Sequence, residues 1–358
     1  MAIARASVGV DIGHSAIKVV QVDKSGAGWK IVKVGTALTP PDVMRDGNVT
    51  NPDELGAAIK LAMKEGHIHS GHAVIAAAGG ATFVRTVPFP KMSPNMLRDS
   101  VKFEAGRYVP GSIEESYVEA EIVGPLSETQ MNVLLASAPK DLVGGRIAAC
   151  KEAGLHVDIV DLETFAAYRT LVETDPSRRA GEESYMFLNI GGTSTSVTVI
   201  DKGVFVMNRT MPSGGNTLTE ALKQAFKLET VDAEAGKTVL DMRELLAGSV
   251  VENPPLKVMA SQVDDLVREI RRSLNYLQTQ NQQAEGTPPV EIKEIILTGG
   301  GAKLRGLDAY LSAKLGLNVH ALGAFDNRNI ISLTGTEDSG LDLTIAVGLA
   351  IRGQLKAA

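Results

Sequence analysis

One supersecondary unit occurs twice in this chain. Val8-Gly-Val-Asp-Ile-Gly-His-Ser-Ala-Ile-Lys-Val-Val20 can be laid on the stretch around Phe187–Val199 so that Asp11 meets Asn189, Gly13 meets Gly191 and Ser15 meets Thr193. The spacing, 178 residues, is almost half of the 358-residue chain. Each copy reads as a short apolar strand, a glycine turn and a second, β-branched strand. Two half-length copies point to two related α/β lobes, in keeping with a length that suggests two domains of roughly 150 residues. A chance match between short β-rich segments is the alternative.

Composition narrows the partners. Lys and Arg total 36 against 42 Asp and Glu, a net charge of −6, and no basic block stands out. Such a chain lacks the footprint that binding a phosphate backbone requires, so nucleic acid is not expected as a partner. Hydrophobic residues at 44% and charged residues at 22% fit a globular protein and argue against global disorder. The single cysteine, Cys150, excludes an intramolecular disulfide framework and fits a reducing compartment; in its Ala-rich helical run it reads as a buried small residue. Aromatics at 4% leave little material for an RNA-stacking platform or an aromatic sugar cleft. No apolar run reaches the roughly 18–20 residues of a membrane span, and Asp11 interrupts what would be a signal peptide. Leu343–Leu355 is apolar, but Arg352 alone gives it too little cationic face to lie on a membrane. The expectation is a soluble cytoplasmic protein without direct membrane insertion, held at a membrane, if at all, by a partner.

Strand and helix patterns alternate along the chain. Asn51-Pro52 before Asp53 and Glu54 predicts a capped helix start. Ser261–Gln280 carries Val263, Leu266, Val267, Ile270, Leu274 and Leu277 at helical spacing. Glu291–Thr298 predicts a strand running into Gly299-Gly300-Gly301, with a helix over Ala302–Leu315. Glu173–Ser184 and Gln280–Pro289 read as loops, the first as the boundary between the halves. Ala73–Val157 holds alternating segments such as Thr82–Val87 and Met131–Ala136, enough for a subdomain of its own.

The glycine turns suggest the chemistry. Turns whose glycines allow close approach, with Ser or Thr hydroxyls beside free backbone N–H groups, form anion-binding concavities. Two of them facing across a cleft would clamp a polyphosphate. Asp11 ends the first strand, where a carboxylate can hold hydrated Mg²⁺, and Lys18 can reach back as a point charge. A single such turn would be an ordinary tight hairpin, but the third cluster, Gly299–Gly301, adds backbone that can lie flat against a base or ribose. Two decoys fail. Leu304 stands where a Gly-x-Gly-x-x-Gly motif needs its third glycine, and Val231 replaces the first glycine of a P-loop ending at Gly236-Lys237-Thr238. The histidines of His67-Ile-His-Ser-Gly-His72 have no acidic or thiol ligand nearby and read as a solvated loop.

Together, Asp11-Ile-Gly with Lys18, the mid-chain turn and the late triple glycine resemble the actin-like ATPase superfamily. Longer strings narrow the resemblance: Val87-Pro-Phe-Pro-Lys-Met, Phe103-Glu-Ala-Gly-Arg-Tyr-Val-Pro110, Asp161-Leu-Glu-Thr-Phe-Ala, Pro212-Ser-Gly-Gly-Asn-Thr-Leu-Thr219 and Val267-Arg-Glu-Ile-Arg-Arg-Ser-Leu-Asn-Tyr276. From Val8 to about Arg352 the chain looks most like the PilM family of the type IV pilus inner-membrane assembly platform. The resemblance implies two related ribonuclease-H-like lobes around a nucleotide cleft. The first would span 1–170 plus 344–358, with a partner-binding insertion at 73–157; the second would span 171–343.

It also implies a binding set for ATP or ADP with Mg²⁺. Asp11, Gly13, His14, Ser15 and Lys18 match the first phosphate segment, Asp11 holding the metal through water. Gly191, Gly192, Thr193 and Ser194 match the second, and Gly299, Gly300 and Gly301 the adenosine segment. Glu234 and Lys237 match a pair at ribose and adenine, with Gly214 and Gly215 in a turn beside the nucleotide. Glu163 falls where an acidic residue would orient the attacking water. The implied function is a scaffold at the cytoplasmic face of the inner membrane that captures the N-terminal cytoplasmic peptide of a PilN-type protein. Other pilus platform proteins, motor ATPases and self-association are further implied partners. One departure stands out: Asn189 replaces the superfamily's aspartate, and an amide neither accepts a proton nor serves as an anionic ligand. Slow or negligible hydrolysis is therefore expected. Of the alternatives, an FtsA-like division filament would end in an amphipathic membrane helix, which Gln354–Ala358 does not supply. A small-molecule kinase would need an acceptor pocket with a carboxylate base.

Overall fold

The computed structural model describes residues 7–179, 183–246, 253–283, 290–332 and 339–355. Strand β1 (Ser7–Ile12) is buried at all six positions, as a strand covered on both faces must be. It turns at Gly13–Ser15 into antiparallel β2 (Ala16–Ser25), which continues into β3 (Gly28–Leu38). A tight hairpin, β4 (Met44–Arg45) and β5 (Asn48–Val49), turns through Asp46 and Gly47, both at positive φ. Helix α1 (Pro52–Glu65) begins as expected: the Glu54 amide donates to the Asn51 side chain at 3.2 Å, and Pro52 opens the first turn. Strand β6 (His72–Ala77) then pairs parallel with β1.

Here the chain leaves that sheet. Strand β7 (Phe83–Pro90), helix α2 (Pro94–Glu104) and strands β8 (Ser116–Pro125) and β9 (Gln130–Pro139) make a small unit whose sheet order is β7-β9-β8. Leu97 and Val101 of the helix pack on Val87, Phe89, Met131, Val133 and Leu135. Helix α3 (Lys140–Glu152) returns to the first lobe, and β10 (His156–Leu162) pairs parallel with β6. We therefore place the inserted unit at Phe83–Pro139, narrower than 73–157, because β6, α3 and β10 belong to the lobe around it.

After α4 (Glu163–Tyr168) and the short α5 (Pro176–Arg179) comes the second lobe. Its strands β11 (Ser184–Ile190), β12 (Thr195–Asp201) and β13 (Val204–Met211) form an antiparallel meander. Helices α6 (Gly215–Phe226), α7 (Thr230–Val239) and α8 (Pro254–Gln283) precede β14 (Glu294–Thr298), then α9 (Leu307–Leu315) and β15 (Asn318–Ala321). The repeat seen in the sequence is a repeat of architecture. Strand β1 lies between parallel β6 and antiparallel β2, and β11 between parallel β14 and antiparallel β12. Even the register recurs, with Asp11 opposite Lys18 and Asn189 opposite Ser196.

The chain then recrosses to the first lobe. β16 (Ile330–Ile331) extends its sheet beside β3, and Ala324 and Ile330 pack with Trp29 and Ile31, so the return begins well before residue 344. Helix α10 (Thr344–Gln354) lies so close to β1 that a Cβ on Gly9 would fall 2.1 Å from the Ala346 carbonyl oxygen. It crosses α4 where a Cβ on Gly348 would fall 2.0 Å from the Ala166 oxygen. Two local expectations shift. The helix predicted from Ala302 begins at Leu307, because Gly306 sits at φ +70° and Arg305 bridges to Asp241. The segment 173–184 is partly helical, with residues 180–182 outside the described residues; 280–283 extend α8, and 284–289 lie outside them. Among the described residues no helix is long and apolar enough to cross a membrane.

Candidate functional site

Between the lobes, at the C-terminal ends of β1, β11 and β14, lies a cleft of about 370 Å³. Its lining includes Asp11, Gly13, His14, Ser15, Lys18, Glu163, Gly191–Ser194, Gly215, Glu234, Lys237 and Gly299–Gly301. Of the expected residues only Gly214 stays outside it, behind the second turn. A Cβ there would fall 2.5 Å from the Gly191 oxygen and 2.6 Å from the Gly192 oxygen, so its role is close packing.

The first turn is held by short-range geometry. Strand register places Lys18 across from Asp11, and its Nζ donates to Asp11 Oδ2 at 3.2 Å. Burial works against the Lys18 charge, but Asp11, with Asp342 and Glu163 farther off, outweighs it and raises the pKa. The Thr39 hydroxyl donates to the Gly13 carbonyl at 2.6 Å, fixing the turn. Ser15 reaches the other lobe, its Oγ 3.4 Å from Asn216 Oδ1.

The other two turns are held by close backbone packing. Gly215 N donates to the Gly191 oxygen at 2.9 Å and Asn216 N to the Gly192 oxygen at 2.8 Å, coupling the second turn to the start of α6. Gly299 lies at φ +86°, and a Cβ on it would come within 2.4 Å of Asn189 Oδ1; one on Gly301 would come within 2.3 Å of Ile190 Cγ2. Those two glycines pack on β11, whereas a Cβ on Gly300 would meet only Asp342 Cβ at 4.0 Å, so the middle of the turn faces open space. Beside it Lys237 Nζ donates to Glu234 Oε2 at 2.6 Å and Thr219 Oγ1 at 2.9 Å. Burial opposes the Glu234 charge, but the hydrogen bonds from Lys237 and Thr219 prevail and hold its carboxyl below the usual range.

Glu163, the first residue of α4, also lines the cleft. Burial, reinforced by the Asp11 carboxylate, pushes its pKa up to about 7 despite Arg146 and Lys18. His14 is held below its ordinary value by burial and by Arg146, against the pull of Asp46. Arg146 was not marked by the sequence: it is one cation in the Ala-rich helix α3, and only the fold turns it inward. Also missed were Asn216 and the Lys303–Asp342 ion pair at 2.9 Å, all lining the cleft.

These residues fit a nucleotide and a divalent cation: three glycine cradles, cations at Lys18 and Arg146, and carboxylates at Asp11 and Glu163. Elsewhere, the His67–His72 stretch does not converge. His72 Nδ1 instead meets Asp158 at 2.9 Å, and among the described residues no group of three His, Cys, Asp or Glu is placed to hold a metal. Burial pushes the Cys150 thiol up to about 12, as expected of an inert core cysteine.

Comparison with known proteins gives the family and the fold. The family described as type IV pilus assembly protein PilM matches residues 9–354. A solved PilM–PilN type IV pilus biogenesis complex is similar at 27% identity, over 99% of this chain and 100% of that one, with a TM-score of 0.82. Ethanolamine utilization protein EutJ from Carboxydothermus hydrogenoformans shares the fold at 17% identity and a TM-score of 0.55, covering 96% of this chain and 89% of that one. MreB 5 of Spiroplasma citri bound to AMPPNP does so at 14% and 0.53, covering 97% and 95%. The two repeated lobes are those of the actin-like ATPase fold. With a match over nearly its whole length, the chain belongs to the PilM family of type IV pilus assembly proteins.

Proposed function

We propose that this chain is an ATP-binding scaffold of the pilus assembly platform that captures the N-terminal cytoplasmic peptide of a PilN-type inner-membrane protein. The observation that carries the nucleotide half is the convergence of Asp11, Lys18 and three glycine turns on one interlobe cleft. The PilN half is supported by similarity along the full length of the PilM–PilN complex. In this reading Mg-ATP supplies a polyphosphate that both lobes grip. Lys18 and the backbone amides of Gly13–Ser15 and Gly191–Ser194 hold the phosphates, and Asp11 holds the hydrated metal. Gly299–Gly301, Glu234 and Lys237 receive the nucleoside. Glu163, on which the Asp11 carboxylate acts, would orient water in this reading, but with Asn189 in place of a second carboxylate the turnover is slow. The protein is recruited to the cytoplasmic face of the membrane through its partner, and the inserted unit at Phe83–Pro139 is the docking region.

The test is an equilibrium titration with a fluorescent ATP analogue and Mg²⁺. Asp11→Ala is expected to weaken binding about tenfold or more, the scale of losing a charged partner. Equal affinity in the variant and the parent would remove the phosphate-clamp assignment.

A further inference from the structure

The deepest charged group of the cleft is Arg146, only 1% exposed. Its Nη1 donates to the carbonyls of Ile12 and Ala76, and its Nη2 to that of Gly47, each at 3.3 Å. These carbonyls come from the last residue of β1, from β6, and from the turn of the β4–β5 hairpin. All three bonds are long, and Nε has no hydrogen-bond partner among the described residues. Among the described residues no carboxylate touches the guanidinium, although Glu163 and Asp11 act on it through space. A buried cation without a contacting anion is costly, and an arginine cannot shed its proton to escape the cost. Yet this one lines the interlobe cleft read above as a nucleotide site.

We propose that Arg146 reads the terminal phosphate of the nucleotide, distinguishing triphosphate from diphosphate, and passes that state to the β4–β5 hairpin. The inference rests on the reading of the cleft as a nucleotide site. Arg146 acts on Asp11, His14 and Glu163, the residues that in this reading attend the metal and the water-facing end of the phosphates rather than the nucleoside. An anion there gives the guanidinium its missing counter-charge. The hairpin is tied to the same group: Gly47 accepts from Nη2, and a Cβ on Gly47 would fall 2.9 Å from the Ala78 oxygen. A shift of Arg146 toward a phosphate therefore changes what holds Asp46–Gly47 in place.

Calorimetric titration of the full chain with AMPPNP and with ADP, each with Mg²⁺, tests this on the parent, Arg146→Met and Arg146→Lys. The Met variant is expected to lose about 10- to 100-fold in AMPPNP affinity, the range for a charge-assisted hydrogen bond, and less than about threefold for ADP. The Lys variant recovers part of the loss, since an ammonium keeps the charge but not the fork. An equal loss for both nucleotides, or no loss for either, overturns the proposal while leaving the cleft reading intact. Failure of the parent to bind either nucleotide removes both. Should the variants not fold, hydrogen exchange on the parent decides: with the Arg146–Gly47 bond drawn away, residues 44–49 are expected to be less protected with AMPPNP than with ADP, and equal or greater protection refutes the relay.

Discussion

The hydroxyls of Thr298 and Thr344 lie 2.8 Å apart, joining the last residue of β14 to the first residue of α10. One leads into the triple-glycine turn; the other begins the helix that packs on the first lobe. The amide of Gly299 adds a bond to the Leu341 carbonyl at 2.9 Å. The triple-glycine end of the cleft is thus fastened directly to an element of the opposite lobe. Occupancy of the turn has a short path to the relative position of the lobes.

Gly299 is the weak point of that path. A side chain there faces both an unfavourable φ of +86° and contacts of 2.4 Å with Asn189 Oδ1 and 2.6 Å with the Ile190 oxygen. Gly299→Ala is expected to cost about 2–4 kcal/mol in urea denaturation and to weaken nucleotide binding at least tenfold. A variant as stable as its parent would show that the turn relaxes freely.

Glu163 gives the cleft a pH dependence. Its folded pKa of about 7 lies above the ordinary carboxylate value, so the folded state holds this proton more tightly than the unfolded chain. The stabilisation is full below about pH 4.5 and is lost as pH rises through 7. Relative to the parent, Glu163→Gln should therefore gain on the order of 1–3 kcal/mol between pH 5 and pH 8. Parallel stability curves for the two proteins would mean that Glu163 is charged throughout.

Asn189 is expected to make ATP turnover slow. Its side-chain oxygen packs toward Gly299 at the end of β11, in the position that Asp11 holds on β1. Asn189→Asp should raise the ATP hydrolysis rate by about tenfold or more, the scale of restoring one acid–base group. No change in a phosphate-release assay would move the explanation elsewhere in the cleft.

What the sequence disclosed follows from what is local. The two hairpins and the glycine turns are short motifs whose residues sit together in the chain, and the 178-residue echo carried the relation between the lobes. Asn51 and Pro52 marked a helix start for the same reason. Arg146 was invisible because its partners Ile12, Gly47 and Ala76 lie 134, 99 and 70 residues away. The inner edges we assign to the inserted unit rest on the parallel pairing of His72–Ala77 with His156–Leu162, which no local pattern in the sequence shows. The start of α9 moved because a glycine at positive φ and a bridge to Asp241 overrode helical spacing.

The most direct measurement is a calorimetric titration of the purified chain against the N-terminal cytoplasmic peptide of a PilN-type protein, with and without Mg-ATP. A nucleotide-linked scaffold binds the peptide, and its affinity shifts when ATP fills the cleft. If ATP binds but the peptide does not bind in either state, the scaffold reading is contradicted.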